Sequence, residues 1–556
     1  MEKLSILVRN ILRILGNKNE GKYNQIYIKV ALLTSVLILD TSSCGSYNNN
    51  GEFNINNEVN SETPSSAFYI SPTGSDSNPG TSDRPWKTFS FAIPKLQPGV
   101  TLVLKTGTYT KTTTGLPYVN CASNAKNGSA GSPITVKAEN ERQAFLSSDG
   151  SVEALRMENC SYWNIEGLRL EGNDTPTTKQ VPTGWILHND NIKIKRLLVA
   201  KHNRYSVNAA LFAISKSDTI LVEDSEFYYA IRHLLNCFQS RRCTFRRLYA
   251  NARGFEPIPG GSKDVGDVSV VFYGTSNSIM ENVIVEGNHE NPNCIACGSQ
   301  GMQIHSTAQN NMIIGSIAIN TNINGYRLDS RNVSDRLVTD TIIENVVSYS
   351  NYDRGGFGGY LQQGAVNTQM KNVSIIDATG VPTARGLSLD GRCAACANGQ
   401  PSNTSFHGEN ILSVGGTPAF QGFSVSSPWP ILGGWDMEYT NAYNWHTNYS
   451  PATSHAYGSF SNKQSINPQL GNCIVFIPDS SPMKGVGKNG EDIGANIVYR
   501  YEDGILTDQK LWNQTTGQFP CGATVKGVND DLNFPDSSCT NVHERLNVGV
   551  NGCAIP

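Results

Sequence analysis

"FYISPTGSDSNPGTSDRPWKTFSFAI" (residues 68–93) places a dense run of turn-forming residues between a short apolar strand and an amphipathic segment. Gly, Ser, Asn, Asp and Pro favour turns because they tolerate or fix unusual backbone geometry. After the turn, Asp83 is placed to cap a short helix. One face of that helix would carry four apolar residues, Trp86, Phe89, Ala92 and Ile93. The stretch therefore predicts a strand, a turn and a helix that covers the end of a core.

Downstream, the chain repeats a strand-length pattern at intervals of 23 to 35 residues. Each unit has an apolar residue, two polar or small residues, and then alternating apolar residues. The clearest copies are "IEGLRL" from Ile165, "MENVIV" from Met280, "IGSIAI" from Ile314, "IENVVS" from Ile343 and "MKNVSI" from Met370, with looser copies at Val222 and Phe245. Alternation of this kind excludes a helical repeat. A constant core with variable insertions is typical of a solenoid.

Asparagine recurs at one register of the repeat, at Asn282, Asn345 and Asn372. Other copies have Gly167, Asp224 or Ser316 at this position. Such residues tolerate left-handed backbone geometry and bond to nearby main chain, so one per coil would form a ladder of turns. This register predicts an all-β parallel β-helix, whereas a β-sandwich or propeller would not require it. Residues 68–93 would cap the helix, and "GVTLVLKTGTYT" (99–110) would be its first strand.

The quoted opening resembles the N-terminal signature of the pectate-lyase-like superfamily of right-handed parallel β-helix proteins. The strand, the "GSDSNPGT" turn, the "PWKT" helix start and "GVTLVLKTGTYT" carry the resemblance, and "SSPMKGVGKNGEDIGA" (480–495) is similar to a closing segment in such proteins. The resemblance covers residues 68–497 and implies the fold. It only suggests an activity, since this superfamily includes lyases, glycoside hydrolases, epimerases, tailspikes and adhesins.

The first 44 residues predict a bacterial lipoprotein-like signal. Lys29 is followed by "VALLTSVLIL", and Cys44 would carry the lipid. An ordinary secretory signal or a membrane-anchoring segment is the alternative. Either way we expect an exported protein, held at the bacterial cell surface or outer membrane through the lipid, or periplasmic or extracellular. Residues 45–67 would be a flexible linker, residues 68–497 the β-helix, and residues 498–556 a cysteine-rich tail.

Charge and cysteine content narrow the function classes. Lys and Arg number 44 against 47 Asp and Glu, so no basic excess favours nucleic acid as a partner. The chain has 13 cysteines, and lipidation of Cys44 would leave an even number for pairing. Four of them crowd the C-terminal end, Cys473, Cys521, Cys539 and Cys553, which predicts disulfides in an oxidising compartment. Disulfides are also favoured over zinc for "CIAC" (294–297) and "CAAC" (393–396).

A second strand in each repeat carries the candidate site. "GMQIHS" (301–306), "GYRLDS" (325–330) and "GLSLDG" (386–391) align well, while "GYLQQ" (359–363) and "VVFYG" (270–274) align more loosely. Alternation would point Ile304, Leu328, Leu361 and Leu389 inward. Two outward columns would remain: Val271, Gln303, Arg327, Tyr360 and Ser388, and Tyr273, His305, Asp329, Gln362 and Asp390. This strip suits an extended sugar chain.

Two mechanisms fit the strip. In a lyase acting on an acidic polysaccharide, His305 or Tyr273 would remove the proton beside a uronate carboxylate, and Arg327 would hold that carboxylate. Asp329 would orient the base. In an inverting glycoside hydrolase, Asp329 and Asp390 would be the two carboxylates. The lyase hypothesis uses more of the strip. A non-catalytic glycan-binding or structural surface protein is the other alternative, and burial of the strip by insertions such as 288–300 or 391–404 would weigh against an enzyme.

A second cluster lies in "RHLLNCFQSRRCTFRRLYANARGFE" (232–256), where Arg242 and Arg246 are candidate ligands for an acidic glycan. The nearby Asp264 and Asp267 are candidate Ca²⁺ ligands, although Ca²⁺ prefers six to eight oxygens. The calcium-dependent pectate lyases of the resembled superfamily use clustered aspartates with a Lys or Arg base. The sequence has no such cluster followed by a well-placed Lys, so a Ca²⁺ cofactor stays open. The sequence leaves the oligomeric state undetermined.

Overall fold

The computed structural model describes most of the chain from Ala67 to Pro556. The described residues are 67–173, 181–201, 210–228, 233–252, 268–287, 300–321, 324–330, 337–349, 358–378, 384–390, 405–416, 420–426, 431–450, 456–521, 539–549 and 552–556. The predicted signal with Cys44, "CIAC", "CAAC", Asp264 and Asp267 lie outside this set. Within it, no helix is long and apolar enough to cross a bilayer.

A twelve-stranded parallel sheet, called sheet I below, takes its strands from the chain between Tyr118 and Ser450. Its strands are Tyr118–Asn120, Leu155–Glu158, Gly184–Leu187, Ala210–Ser215, His233–Phe238, Val268–Tyr273, Gln300–His305, Tyr326–Asp329, Tyr360–Gln363, Arg385–Asp390, Gln421–Ser426 and Thr447–Ser450. Each strand pairs with the corresponding strand of the next coil, at the usual separation of about 4.8 Å.

The remaining coil strands form a 22-stranded parallel sheet, called sheet II. They are Ala67–Ile70, Thr101–Leu104, Gly107–Thr110, Ile134–Ala138, Ala144–Ser147, Ser161–Glu166, Arg169–Glu171, Asp190–Lys195, Leu198–Ala200, Asp218–Glu223, Glu226–Tyr228, Arg241–Arg246, Tyr249–Asn251, Ile279–Glu281, Ile284–Glu286, Met312–Ile314, Ile317–Ile319, Ile342–Tyr349, Thr368–Ile376, Phe406–Val414, Ile431–Tyr443 and Ala456–Ser461. The predicted first strand (99–110) is thus two strands, and Ala67–Ile70 precedes them. Alternate apolar side chains of both sheets fill one continuous core. The all-β parallel β-helix is confirmed.

The predicted ladder of left-handed residues marks the turn inside sheet II. Ten coils place such a residue there, with φ between 49° and 65°: Gly167, Arg196, Asp224, Arg247, Asn282, Gly315, Asn345, Asn372, Asn410 and Tyr439. The prediction of Ser316 is wrong, because Met280 pairs with Ile313 rather than with Ile314. Gly315 therefore takes the left-handed position, and buried Ser316 instead accepts a hydrogen bond from the Val283 amide.

The N-terminal cap is shorter than predicted. An α-helix spans only Phe89–Ala92, followed by a 3₁₀ turn at Ile93–Lys95. Asp83 is not its N-cap: Thr88 accepts the Phe91 amide, and the Asp76 carboxylate accepts the Lys87 and Thr88 amides at 2.9 Å each. Asp83 instead accepts the Thr81 hydroxyl. The four apolar residues of the predicted face are buried in the core, Trp86, Phe89, Ala92 and Ile93.

The C-terminal segment returns along the ladder in the direction opposite to the coils. The amides of Lys488, Asn496 and Tyr501 donate in turn to the side-chain oxygens of Asn410, Asn345 and Asn282, at 2.6 to 2.7 Å. Further along, an antiparallel hairpin forms from Tyr499–Glu502 and Ile505–Lys510. The short elements Lys488–Gly490, Cys539–Asn541 and Val542–Arg545 complete the tail. The asparagines therefore bind the returning chain as well as making turns.

Four disulfides form among the described cysteines: Cys121–Cys160, Cys237–Cys243, Cys473–Cys553 and Cys521–Cys539. The last two close the C-terminal tail, so disulfide formation by the four predicted cysteines is confirmed. Phe519, Cys521 and Trp512 pack with Tyr228 and Tyr249 of sheet II in a second apolar cluster. Covalent closure and apolar burial together hold the tail on the β-helix.

The dual role of Asn282 leads to a prediction. Asn282→Ala would lose both the tolerated left-handed geometry and the bond from the Tyr501 amide, and we expect a destabilisation of about 2–3 kcal/mol. Asn282→Gly would lose the hydrogen bonds but keep the geometry, and should cost about 1–2 kcal/mol. Urea unfolding of both variants would measure the difference. Equal losses would mean that left-handed geometry contributes nothing at this position.

Candidate active site on sheet I

The outward face of sheet I carries two neighbouring columns of polar and aromatic side chains, called the polar strip. The register aligns Tyr273, His305, Asp329, Gln363 and Asp390 in one column, and Val271, Gln303, Arg327, Leu361 and Ser388 in the other. The column between them, Phe272, Ile304, Leu328, Gln362 and Leu389, points inward. His305 and Asp329 are therefore direct neighbours across two strands, and Arg327 shares a strand with Asp329.

The predicted register of one strand is wrong by one residue. Tyr360 pairs with Tyr326 and Gln362 pairs with Leu328, so both side chains point inward instead of into the strip. Tyr360 belongs to the apolar core, and its hydroxyl donates to the side-chain Oε1 atom of Gln362 at 2.9 Å. The outward positions belong to Leu361 and Gln363. The prediction of Leu361 as an inward residue is wrong for the same reason.

Glycine fixes this register. A glycine precedes the first inward residue of five successive strands, and these glycines are stacked: Gly301, Gly325, Gly359, Gly386 and Gly422. A Cβ on Gly359 would lie 2.3 Å from the Ile375 side chain, and one on Gly386 would lie 2.4 Å from the Gly422 carbonyl oxygen. Only glycine fits where this edge of sheet I approaches sheet II. An alignment of Gly359 with Gly386, instead of Leu361 with Leu389, gives the observed register.

His305 and Tyr273 form the aromatic part of the strip. Their rings stack with centroids 4.5 Å apart and an interplanar angle of 23°. The Nδ1 atom of His305 lies 2.6 Å from the Ser306 hydroxyl, and its Nε2 atom lies 3.9 Å from the Asp329 carboxylate. Phe238 on the preceding strand continues the aromatic row, 5.1 Å from Tyr273. The imidazole is therefore held by contacts with a ring, a hydroxyl and a nearby carboxylate.

Arg327 links the two carboxylates of the strip. Its Nη2 atom lies 2.9 Å from Asp329 Oδ2 and donates to Gln363 Oε1 at 2.9 Å. The Gln363 amide nitrogen donates in turn to Asp390 Oδ2 at 3.3 Å. Gln363, which the prediction missed, therefore connects Arg327 with Asp390. Asp329 and Asp390 lie two coils apart, which corresponds to about 9.6 Å along the sheet.

The strip is mostly buried. Asp329 and Asp390 are 0% and 1% exposed, and His305 is 4% exposed. The Arg327 side chain retains 13% exposure, and Tyr273 is half-buried. The residues expected to cover the strip, 288–299 and 391–404, lie outside the described set. Solvent thus reaches Tyr273 and Arg327 more readily than either carboxylate.

Several buried polar atoms on this face have no hydrogen-bond partner among the residues that the structure describes. They belong to the column that contains Arg327 and include Asn236 Oδ1, Gln303 Nε2, Ser388 Oγ and Ser424 Oγ. Burying a polar group without a partner costs about 1–3 kcal/mol, so such groups are rare unless a ligand or water satisfies them. Gln303, predicted as a ligand, is 2% exposed and thus offers an oriented donor.

The predicted arginine ligands lie elsewhere. Arg242 and Arg246 belong to Arg241–Arg246 of sheet II, where they line a separate cleft of about 850 Å³. Arg242 pairs with Asp218 at 2.6 Å and remains half exposed. Arg246 is buried and contacts four carboxylates, those of Glu223, Glu281, Glu502 and Asp503. Arg246 therefore helps to dock the C-terminal hairpin and does not join the strip.

Electrostatics in this cleft follow from the same contacts. Burial raises the pKa of the Glu223 carboxyl, but Lys195 at 2.6 Å and the guanidinium groups of Arg247 and Arg246 outweigh it, so the pKa is lowered. Glu223 thus stays ionised in the folded protein. The positive charge that the sequence places here is largely neutralised by neighbouring carboxylates.

Comparison with known proteins fits this architecture. Residues 68–276 match the family model described as the Pel9A-like, right handed beta helix region. The protein is a parallel β-helix protein, and over residues 68–276 it is similar to this right-handed family. The match begins at the first strand and ends just beyond Tyr273, so it includes the start of the polar strip.

Relatives of this β-helix protein are distant. It is 24% identical over 349 residues to pectate lyase L of Dickeya dadantii, covering 58% of this chain and 74% of the relative. It is 29% identical over 120 residues to the uncharacterized protein YwoF of Bacillus subtilis, covering 20% of this chain and 24% of the relative. Among solved structures, the A-module of mannuronan C-5 epimerase AlgE6 from Azotobacter vinelandii is 15% identical, with a TM-score of 0.47 and coverage of 66% and 91%.

The polar strip of this β-helix protein does not fit a Ca²⁺ ion. Ca²⁺ takes six to eight oxygen ligands. Asp329 is instead beside a guanidinium at 2.9 Å, and Asp390 accepts a bond from the Gln363 amide. Elsewhere, His407, Asp436 and Glu438 come together on sheet II, but the Lys488 ammonium lies 3.1 Å from Glu438.

The corrected register leads to a prediction. Gln363→Ala would disconnect Arg327 from Asp390, and we expect about a tenfold loss of activity with little change in stability. Gln362→Leu would leave the strip intact but remove donors to the Ala365 and Ser405 carbonyls, costing about 1–3 kcal/mol. Activity and urea unfolding, measured on both variants, would separate the two registers. The opposite pattern would support the alignment predicted from the sequence.

Proposed function

We propose that this protein acts on an acidic, uronate-containing polysaccharide and cleaves it by β-elimination at the polar strip. The observation that carries the proposal is the difference in solvent access between residues of the polar strip. Tyr273, which stacks on His305, and the Arg327 guanidinium retain some solvent access, whereas both carboxylates are buried and engaged. A lyase requires a base and a cation near the substrate carboxylate, while a hydrolase requires two available carboxylates.

In the proposed reaction, Tyr273 or His305 accepts the proton from C5 of a uronate. Arg327 donates to the uronate carboxylate and so stabilises the negative charge that develops there. The C4–oxygen bond then breaks, the C4–C5 double bond forms, and the proton removed from C5 is returned to the leaving oxygen by the base, directly or through water. Asp329, which lies 3.9 Å from His305 and 2.9 Å from Arg327, keeps the two groups in position.

Relatives support the polysaccharide class. A pectate lyase of Dickeya dadantii is similar over 349 residues, and the A-module of a mannuronan epimerase is among the structural neighbours. We further propose that the protein is exported, because four disulfides among the described cysteines are typical of an oxidising compartment. Attachment through a lipid on Cys44 belongs to the same proposal.

A non-catalytic glycan-binding protein is the second candidate. The burial of His305, at 4% exposure, favours it, because a base must reach its substrate. The test mixes the exported part of the chain with polygalacturonate, alginate and a neutral glucan, with and without Ca²⁺. A rise in ultraviolet absorbance from an unsaturated uronate supports the lyase. New reducing ends without that rise indicate hydrolysis, and retained binding without either signal indicates a binding protein.

A further inference from the structure

The N-terminal end of sheet I carries an exposed aromatic surface, which we call the aromatic platform. It consists of Tyr118, Arg156 and Trp185, on three successive strands in direct register. The Arg156 guanidinium carbon lies 5.4 Å from the Tyr118 ring centroid and 4.7 Å from that of Trp185. Tyr118 is 43% exposed, and the Arg156 side chain is 32% exposed. The platform thus presents two rings and a cation to solvent.

The platform is held rigidly by its neighbours. The Glu158 carboxylate accepts from Arg156 Nε at 2.9 Å and from the Tyr118 hydroxyl at 2.9 Å. Asn120 donates to the same carboxylate at 3.2 Å and to the Tyr118 hydroxyl at 3.0 Å. Preorganised side chains lose little entropy when a ligand binds. Rings fixed in this way, with exposed polar groups between them, are more suited to binding a ligand than to packing.

The platform lies on the same column as Arg327. From Trp185, the register continues through Ala213, Asn236 and Val271 to Gln303 and Arg327. The parallel column runs through Leu187, Ser215 and Phe238 to Tyr273 and His305. The next strand carries the small residues Ala213 and Ser215, so its side chains protrude little from the sheet between the platform and the strip. Five strand spacings separate Trp185 from Arg327, which is about 24 Å.

We infer that the aromatic platform is a second saccharide-binding subsite, which takes a distant part of the same sugar chain that reaches the polar strip. The inference rests on the proposed function. The less polar C–H faces of pyranose rings would pack on Tyr118 and Trp185, and sugar hydroxyls would bond to Arg156 and Glu158. Since Arg156 is paired with Glu158 and Glu153, the platform has no excess positive charge. It therefore recognises sugar rings and hydroxyls rather than a carboxylate.

The experiment compares Tyr118→Ala and Trp185→Ala with the unaltered protein. Electrophoresis through gels that contain polygalacturonate, alginate or a neutral glucan would measure binding. Each variant should bind the polymer about tenfold more weakly, since exposed Trp and Tyr contribute most at binding surfaces. Cleavage of oligosaccharides too short to span both regions should stay unchanged, while cleavage of the polymer should show a raised KM.

Phe145→Ala is the matched control. Arg169 lies 4.8 Å from the Phe145 ring and is held by Glu171 at 2.7 Å, but this group belongs to sheet II. It repeats the arginine, ring and glutamate arrangement away from the proposed sugar path. The control should bind and cleave as the unaltered protein does. Equal weakening by Phe145→Ala and Trp185→Ala would overturn the subsite.

The outcomes separate this inference from the proposed function. Cleavage that does not depend on Tyr118 or Trp185 at any substrate length would overturn the platform alone. Polymer binding that depends on both rings, without any cleavage, would support the platform and reject the lyase. If the unaltered protein neither binds nor cleaves any of the polymers, both proposals fail.

Discussion

Arg327→Ala is expected to lower the rate of uronate elimination by about 10²- to 10³-fold. Removal of one preorganised group that stabilises transition-state charge typically has this effect. The guanidinium lies 2.9 Å from both Asp329 and Gln363, so it is already oriented before substrate arrives. Arg327→Lys should recover only part of the rate, because an ammonium does not reproduce the planar donor pattern. Ultraviolet absorbance of the unsaturated product would measure each rate.

Two further variants identify the base. Tyr273→Phe keeps the stack with His305 but removes the hydroxyl, whereas His305→Ala removes the imidazole. Loss of the base should reduce the rate by about 10²- to 10⁴-fold. Lys193→Ala changes an exposed side chain on sheet II. This variant is the control and should leave the rate unchanged. Full activity in Arg327→Ala, or in both base variants together, would contradict the assignment of the strip.

Arg142→Met is expected to destabilise the fold by about 3–5 kcal/mol, because it leaves the Glu226 carboxylate buried without its ion-pair partner. The two side chains are 0% and 2% exposed. Arg142 also donates to the carbonyl oxygens of Leu197 at 3.3 Å and Cys521 at 3.1 Å, so it joins the coils to the C-terminal tail. Urea unfolding with the disulfides intact would measure the change.

The double variant Arg142→Met/Glu226→Leu tests the reason for that loss. Replacing both members of a buried ion pair by apolar residues is often close to neutral, so the double variant should recover at least half of the stability. A double variant as unstable as the single one would show that the carbonyl contacts, and not the unpaired charge, dominate. A single variant within about 1 kcal/mol of the unaltered protein would contradict the prediction.

The fold could be predicted from sequence because its signals are local and repeated. The asparagines at 282, 345 and 372 each occupy the left-handed turn of their coil, as their register indicated. The same reasoning failed at Ser316, where two adjacent isoleucines permit two alignments and only the Gly315 turn distinguishes them. The prediction of Asp83 as the helix cap also failed, since Asp76 reaches the helix start from within the preceding turn.

The candidate site was less predictable. The apolar side chain of Leu361 predicts an inward position for it and outward positions for Tyr360 and Gln362, but backbone crowding at Gly359 decides the register instead. Arg246 was a candidate glycan ligand because of its charge. Its true partners include Asp503, 257 residues away in sequence, and no local pattern can show such a contact.

The most direct test of the central claim is mass spectrometry of the products formed from polygalacturonate or alginate in heavy-oxygen water. Elimination breaks the C4–oxygen bond without adding water, so the account predicts unsaturated products that carry no heavy oxygen from the cleavage step. Hydrolysis would instead place one solvent oxygen in each new pair of ends. Products that are saturated and labelled, or no products at all, would contradict β-elimination at the polar strip.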